Sequence, residues 1–474
     1  MKVKLHILCL LFAALVIGLA APGALTASDV VPGRTQQRPV ALVGGTVYPV
    51  SGEPIENGVV VFTEGKITAV GPQGQVEIPG NAEQIDCAGK RIYPGLFDGA
   101  SQLGLIEIGA VDVTVDTNEM GRVNPNAQAH VSVNPDSELI PTTRANGVLL
   151  AHVLPGGGLV SGQAAVLQLD GWTWEDLTLD APTGIVLNWP NMLPRQSWFQ
   201  QAPAEQQMRQ RDEGLQEIED LFEDAERYKL ALDAAGIEAG ATAQVARSGM
   251  TGAGSNGGSG QANQQNGRPA PPAYDAKLEA MVPLLNGEIP LIVNANEASQ
   301  IQAAVAFAKR HGLKLVINGA TGAGDVIDLL AENDVKVILE GTHRLPGGRD
   351  EAYDEPFSLP ARLHEAGVVF AVASNREPAF VRNLPFHVGT AVAFGLPEDA
   401  ALACMTLGPA TILGVADRVG SLEAGKDATL IVADGDILET PTHVTHAWIQ
   451  GRRVDLSSKH TQLFDKYKQR YGQN

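Results

Sequence analysis

The sequence predicts an α/β protein: a (β/α)8, TIM-like barrel inserted in a small β-sandwich formed by both chain ends. Three observations predict it. Short strands and turns fill both ends of the chain. Continuous Val/Ile/Leu runs recur through the middle with helical stretches between them, the pattern of buried parallel strands. No glycine-rich phosphate fingerprint follows any of these runs, which disfavours a doubly wound open sheet. The expected division is a signal peptide over 1–27, a composite sandwich from 28–92 plus 417–456, a barrel over 93–416, and a tail over 457–474.

The chain opens with MKVK, then runs apolar from Ile7 to Ala21 until Pro22 and Gly23 break it. Small residues then offer a cleavage site near Ala27. That is a secretory signal rather than a membrane span, because the run is short and no stop-transfer charges follow. Cys9 lies too early for a lipoprotein box. The expected location is therefore periplasmic or secreted, with no stable membrane span. Cys87 and Cys404 remain after cleavage and read as two buried small residues rather than a disulfide framework. The 474 residues are 44% hydrophobic, enough for a large core, and the formal net charge of −20 repels phosphate backbones, so no nucleic-acid partner is expected.

The N-terminal strands are VALVGGTVYPV, GVVVFTEG and KITAVG, set between Gly, Pro and Asn clusters; they read as a small antiparallel sheet. DATLIVADG and THAWIQGRRV supply strands from the other end. The barrel runs are IYPGLF (92–97), GVLLAHV (147–153), GIVLN (184–188), PLIVN (290–294), LKLVIN (313–318), VKVIL (335–339) and GVVFAVAS (367–374), with a further strand expected near 110–115. EASQIQAAVAFAKRHG, AGDVIDLLAEND and SLPARLHEAG give crossover helices. Pro203 to Ala235 reads as a long amphipathic helix, with Leu215, Ile218, Phe222, Ala225 and Leu232 on one stripe covering the barrel. Residues 248–272 have almost no apolar mass and read as a disordered loop.

YPGLFDG, ALVGGTVYPVSGEPIENGVVVFTEGKITAVG, LEAMVPLLNGEIPL and above all AVAFGLPEDAALACMTLGPATILGVADRVGSLEAGKDATLIVADGD resemble the amidohydrolase superfamily, in its imidazolonepropionase-like branch. The likeness covers most of residues 40–455. It implies hydrolysis of non-peptide C–N bonds by one or two divalent metals, such as zinc, at the C-terminal mouth of the barrel. It also implies two histidines after strand one, a lysine or glutamate after strand four, histidines after strands five and six, and an aspartate after strand eight. Such a set lowers the pKa of bound water and supplies the base that takes its proton.

Carried over one at a time, these positions fall on Ala100 and Gln102, on Asn294, on Asn318 or Gly319, and on Asn375. No lysine lies between Lys90 and Lys229, so none can end strand four. Alanine cannot ligate, carboxamides are weak ligands for a zinc-type ion, and asparagine cannot act as a base. The expectation is a degenerate metal site and no cofactor.

Residues that can line a pocket at the mouth are Asn118, Glu119, His152, Asn296, Asn318, Arg344 and Arg349. His152 sits near the end of what reads as strand three; the plainer reading is a hydrogen-bonded strand-end histidine. Asp116 lies beside Asn118. Arg344 and Arg349, with Asp350, Tyr353 and Asp354, form either a carboxylate clamp or a surface ion-pair cluster. The glycines of PGGGLVSGQ (155–163) either present N–H groups to an anion or satisfy a turn that needs positive φ. His130, His343, His387, and the pair His443 and His446 show no convincing ligand spacing. Three readings of function stay open: a metal-free binder of a small molecule or partner, a hydrolase of cyclic amides through a rebuilt site, and a structural subunit pairing with a catalytic relative or with itself.

Overall fold

A computed structural model describes residues 31–194, 202–237, 269–347, 351–374 and 377–472. The signal peptide, residues 248–268 of the loop, Arg349, Asp350 and Asn375 lie outside the described residues.

The two chain ends meet in one eight-stranded sheet. It contains β1 (Val40–Val47), β2 (Ile55–Thr63), β3 (Lys66–Pro72), β4 (Glu83–Asp86) and β5 (Arg91–Pro94) from one end. The other end adds β14 (Leu430–Ala433), β15 (Val444–Ile449) and β16 (Arg452–Arg453), and the order is β16-β15-β14-β5-β1-β2-β3, with β4 also paired to β1. The sheet is mixed rather than antiparallel, because β4 and β5 both run parallel to β1. Alternation along the strands gives it two apolar faces. Leu42, Val60, Phe62, Ile92, Leu430, Val432 and Trp448 pack on one, and Ala41, Val59 and Val61 on the other.

The second eight-stranded sheet is the barrel: β6 (Leu96–Ser101), β7 (Val148–Val153), β8 (Val160–Gln168), β9 (Thr178–Asn188), β10 (Leu291–Ala295), β11 (Leu315–Gly319), β12 (Lys336–Leu339) and β13 (Phe370–Val372), in sequence order around the wall. Phe97, Leu150, Val166, Val186, Ile292, Val316, Ile338 and Ala371 fill its interior, one from each strand. At the seam the Ser374 N–H donates to Asp98 Oδ1 at 2.8 Å, which ties the end of β13 to β6. The Ile218, Phe222 and Ala225 stripe of the helix Ala204–Ala235 packs with the barrel's outer core, in company with Phe307 of the helix Ala298–His311.

Two expectations need correction. Residues 110–115 hold no barrel strand; Asp112–Thr114 is an exposed 3-10 turn. The missing strand is β8, and it runs antiparallel to both neighbours. Its link from β7 is residues 154–159, too short for the crossover a parallel pair requires. His152 therefore stands on the second barrel strand. Cys87 and Cys404 are both buried and unpaired. They sit in different apolar clusters, one in the mixed sheet and one outside the barrel.

Candidate functional site

Three adjacent strands carry an asparagine at or one residue before their C-terminal end. Parallel register sets Asn294 of β10 beside Asn188 of β9 and beside Asn318 of β11. Each asparagine shares the inward parity of Val186, Ile292 or Val316, so all three side chains enter the barrel mouth. Strand spacing of about 4.8 Å lets neighbouring carboxamides bond directly. Asn318 Nδ2 donates to Asn294 Oδ1 at 2.6 Å, and Asn294 Nδ2 donates to Asn188 Oδ1 at 2.7 Å. Asn188 Nδ2 then donates to Gly158 O at 3.0 Å and to Ser161 Oγ at 2.9 Å. Asn318 is buried, and the other two are half-buried.

The glycine turn between β7 and β8 forms the next wall. Gly157 and Gly158 have φ of +73° and +63°, which favours glycine over any side chain. Gly156 N donates to Thr117 O, and Leu159 N to Arg122 O, so these N–H groups serve the loop over the mouth rather than an anion. Gln102 and Asn118 close in on the same turn. A methyl group built at Gly156 would lie 3.0 Å from Asn118 Oδ1 and 3.1 Å from Gln102 Nε2. The helix Ala298–His311 braces this arrangement from outside. Gln300 Oε1 accepts from the N–H groups of Asn296 and Glu297, while its Nε2 donates to Trp189 O at 2.9 Å. One buried side chain thus holds the backbone just beyond Asn188 and just beyond Asn294.

The remaining positions divide clearly. Ala100 is buried in the barrel interior. Gly319 has φ of +97°, and a side chain there would strike Asn296 Oδ1, so the strand-six position accepts no histidine without moving Asn296. His152 is wholly buried; its Nδ1–H faces Gly99 O at 2.9 Å and its Nε2 faces Thr183 Oγ1 at 3.0 Å, with burial holding its pKa down at about 4. It is a neutral, doubly hydrogen-bonded core residue. Arg344 pairs with Glu351 at 2.7 Å. Glu119 is exposed. His343 and His387 lie with ring centroids 4.2 Å apart and planes tilted by 33°, and His387 Nδ1 accepts from the His343 N–H at 3.1 Å. Burial lowers the pKa of both, that of His387 to about 3. His443 is exposed, and His446 stacks on Trp448. Among the described residues, no three His, Cys, Asp or Glu side chains gather as a metal-binding group.

Two residues escaped the reading of the sequence. Asn188 was legible: GIVLN, LIVN and LVIN end alike, and aligning the three runs by their last residue exposes the trio. Asp98 was not. Its carboxyl is fully buried, Oδ2 has no hydrogen-bond partner, and desolvation raises its pKa to about 8. Only the closing of the barrel puts it in so dry a place. A cavity of about 590 Å³ opens elsewhere. It is lined by residues at the starts of β10, β11 and β12, among them Pro290, Leu315 and Lys336, on the face opposite the asparagines.

Comparison with known proteins follows the same architecture. Residues 325–454 match the model of the amidohydrolase family. The amidohydrolase tasK of Hapsidospora irregularis is 23% identical over 416 residues, covering 84% of this chain and 39% of that protein. An imidazolonepropionase of Micrococcus luteus is 39% identical over 108 residues, covering 21% of this chain and 27% of that protein. The chain thus spans well under two thirds of the length of these relatives. The crystal structure of an amidohydrolase from Thermotoga maritima superimposes with a TM-score of 0.70 at 25% identity, over 88% of this chain and 99% of that one. The barrel, the mixed sheet and these sequence matches make the chain similar to proteins of the amidohydrolase family.

Proposed function

We propose that this chain is an exported amidohydrolase-family protein whose barrel mouth binds a small polar ligand through carboxamides, without a divalent metal. The observation that carries the reading is the hydrogen-bonded run Asn188–Asn294–Asn318 at the ends of three adjacent strands. Divalent zinc-type ions are held by imidazole, thiolate and carboxylate donors. Here the facing donors are neutral amides bonded to one another, and an imidazole at Gly319 would have to displace the Asn296 carboxamide. This donor set does not fit such an ion.

The run also has a direction. Every Nδ2 points toward the glycine turn, so Asn318 Oδ1 stands at the free end as an acceptor. A ligand seated there donates an N–H or O–H, as a small amide or lactam does. A second reading, hydrolysis of a cyclic amide through a rebuilt site, has one observation in its favour. Asp98 carries a proton near neutral pH inside the barrel and is chemically suited to protonate a leaving nitrogen.

The test is elemental analysis of the protein purified without chelator or metal-affinity steps. The expected result is no stoichiometric zinc, iron or manganese, and none retained after incubation and desalting. One retained equivalent sinks the metal-free reading. A thermal-shift screen of small lactams and amides then separates binding from turnover, since a hydrolase consumes what it binds. Fractionation with N-terminal sequencing tests export; a mature chain starting after Ala27 is expected.

A further inference from the structure

The helix Lys459–Arg470 is unlike the rest of the molecule. It has no buried residue. Ser458 caps its start, its side chain accepting from the Thr461 N–H while Thr461 Oγ1 accepts from the Ser458 N–H, so the helix is locally well formed. In a chain of net charge −20, these twelve residues carry Lys459, Lys466, Lys468 and Arg470 against the single acid Asp465.

Its exposed apolar residues fall on one side. Leu463, Phe464, Tyr467 and, one step past the helix, Tyr471 lie within about 100° of its circumference. Phe464 and Tyr471 are 65% and 68% exposed, which leaves the stripe unburied on the protein surface. The cations border it: Lys459, Lys466 and Arg470 project along one edge and Lys468 along the other, by the same helical spacing. Each aromatic ring has a cation beside it, Lys466 near Tyr467, Lys468 near Phe464 and Arg470 near Tyr471. Asp465, Gln462 and Gln469 take the far side.

We propose that this helix lies on an anionic phospholipid surface. An aromatic stripe seats itself at the headgroup boundary, where ring bodies are buried and hydroxyls stay wet. Cations along both edges reach lipid phosphates while their stems cover the apolar stripe. The charge argument favours this occupant, because the helix carries four Lys and Arg against one acid in a chain whose net charge is −20. Repulsion from that acidic remainder is screened beyond about 8–10 Å at physiological salt. A second copy of the chain, with its acidic surface, is the competing occupant.

The test uses the full chain with Cys9→Ser and with Phe464→Cys carrying an environment-sensitive fluorophore; Cys87 and Cys404 are buried and stay unlabelled. Residues 1–27 are the same in every arm, and the label reports on the helix alone. Vesicles of phosphatidylcholine with phosphatidylglycerol are expected to shift the emission to the blue, while phosphatidylcholine alone does not. Reversing Lys466, Lys468 and Arg470 to Glu is expected to raise the half-saturating lipid concentration by about tenfold or more. The unfolding midpoint should hold, since no residue of the helix is in the core. An absent shift, or an equal shift on both vesicle types, overturns the proposal. A shift without vesicles that grows with protein concentration overturns it in favour of a second copy.

Discussion

Asp98 and His152 are both wholly buried and respond to burial in opposite directions. Both favour the uncharged form, so desolvation raises the carboxyl pKa to about 8 and lowers the imidazole pKa to about 4. The consequences for stability have opposite signs. An unfolded aspartate ionises near pH 4 while folded Asp98 keeps its proton to about pH 8, so Asp98 costs stability progressively as pH rises through that window. An unfolded histidine takes a proton near pH 6.5 and folded His152 refuses it until about pH 4, so His152 costs stability as pH falls through that lower window. Asp98→Asn mimics the protonated carboxyl. It should stabilise the protein at pH 8 by roughly 5 kcal/mol at most, with the gain closing toward zero near pH 4. Denaturant unfolding across that range checks it; a gain that does not vary with pH would mean that Asp98 is ionised in the fold.

The element that shapes the mouth is the turn from β7 to β8. Three glycines occupy it because two residues adopt positive φ and the chain passes close to the 117–122 loop. A methyl group at Gly158 would sit 2.6 Å from Arg122 O, against backbone that cannot swing away. Gly158→Ala should therefore destabilise by about 1–3 kcal/mol, and it should also loosen the Asn188 end of the amide run, which bonds to Gly158 O. Chemical denaturation measures the first effect and amide hydrogen exchange over residues 117–124 and 156–162 the second. Unchanged protection there would show that the turn does not brace the mouth. The asparagines near the ends of β9, β10 and β11 were legible in the primary structure, and so was every helix with clear periodicity. The direction of β8 was not, because an all-buried strand reads the same whichever way it runs. Only the six-residue link before it decides.

At the scale of the molecule, one buried carboxylate joins the two sheets. Asp170, just past β8, is 1% exposed and accepts from Arg144 Nη1 at 3.1 Å, from Arg452 Nε on β16 at 3.2 Å, and from the Gly33 N–H at 3.1 Å. Its partners come from the barrel, from the mixed sheet and from the segment leading into β1. Asp170→Ala leaves the Arg144 guanidinium buried without its charge partner. The expected loss is about 3–5 kcal/mol of unfolding free energy. Replacing both members by apolar residues, Arg144→Met with Asp170→Leu, should recover most of it. Calorimetry checks both, and a double variant as unstable as the single one would mean that Arg452 and Gly33, not Arg144, carry the cost.

Hydrophobic period and turn residues determined the α/β class, the strands contributed by both chain ends and the inserted barrel, because burial on one face or on two leaves its mark along the chain. The residue types at the ends of β9, β10 and β11 were likewise plain before any coordinates. What the tertiary structure alone decided is how those groups are used. Parallel register turned three separate asparagines into one polarised run. Closure of the barrel placed Asp98 where it retains a proton and gave His152 two hydrogen bonds. Folding joined Asp170 to Arg452, 282 residues away. Each of these depends on distances between residues remote in sequence, and local periodicity carries no information about such distances.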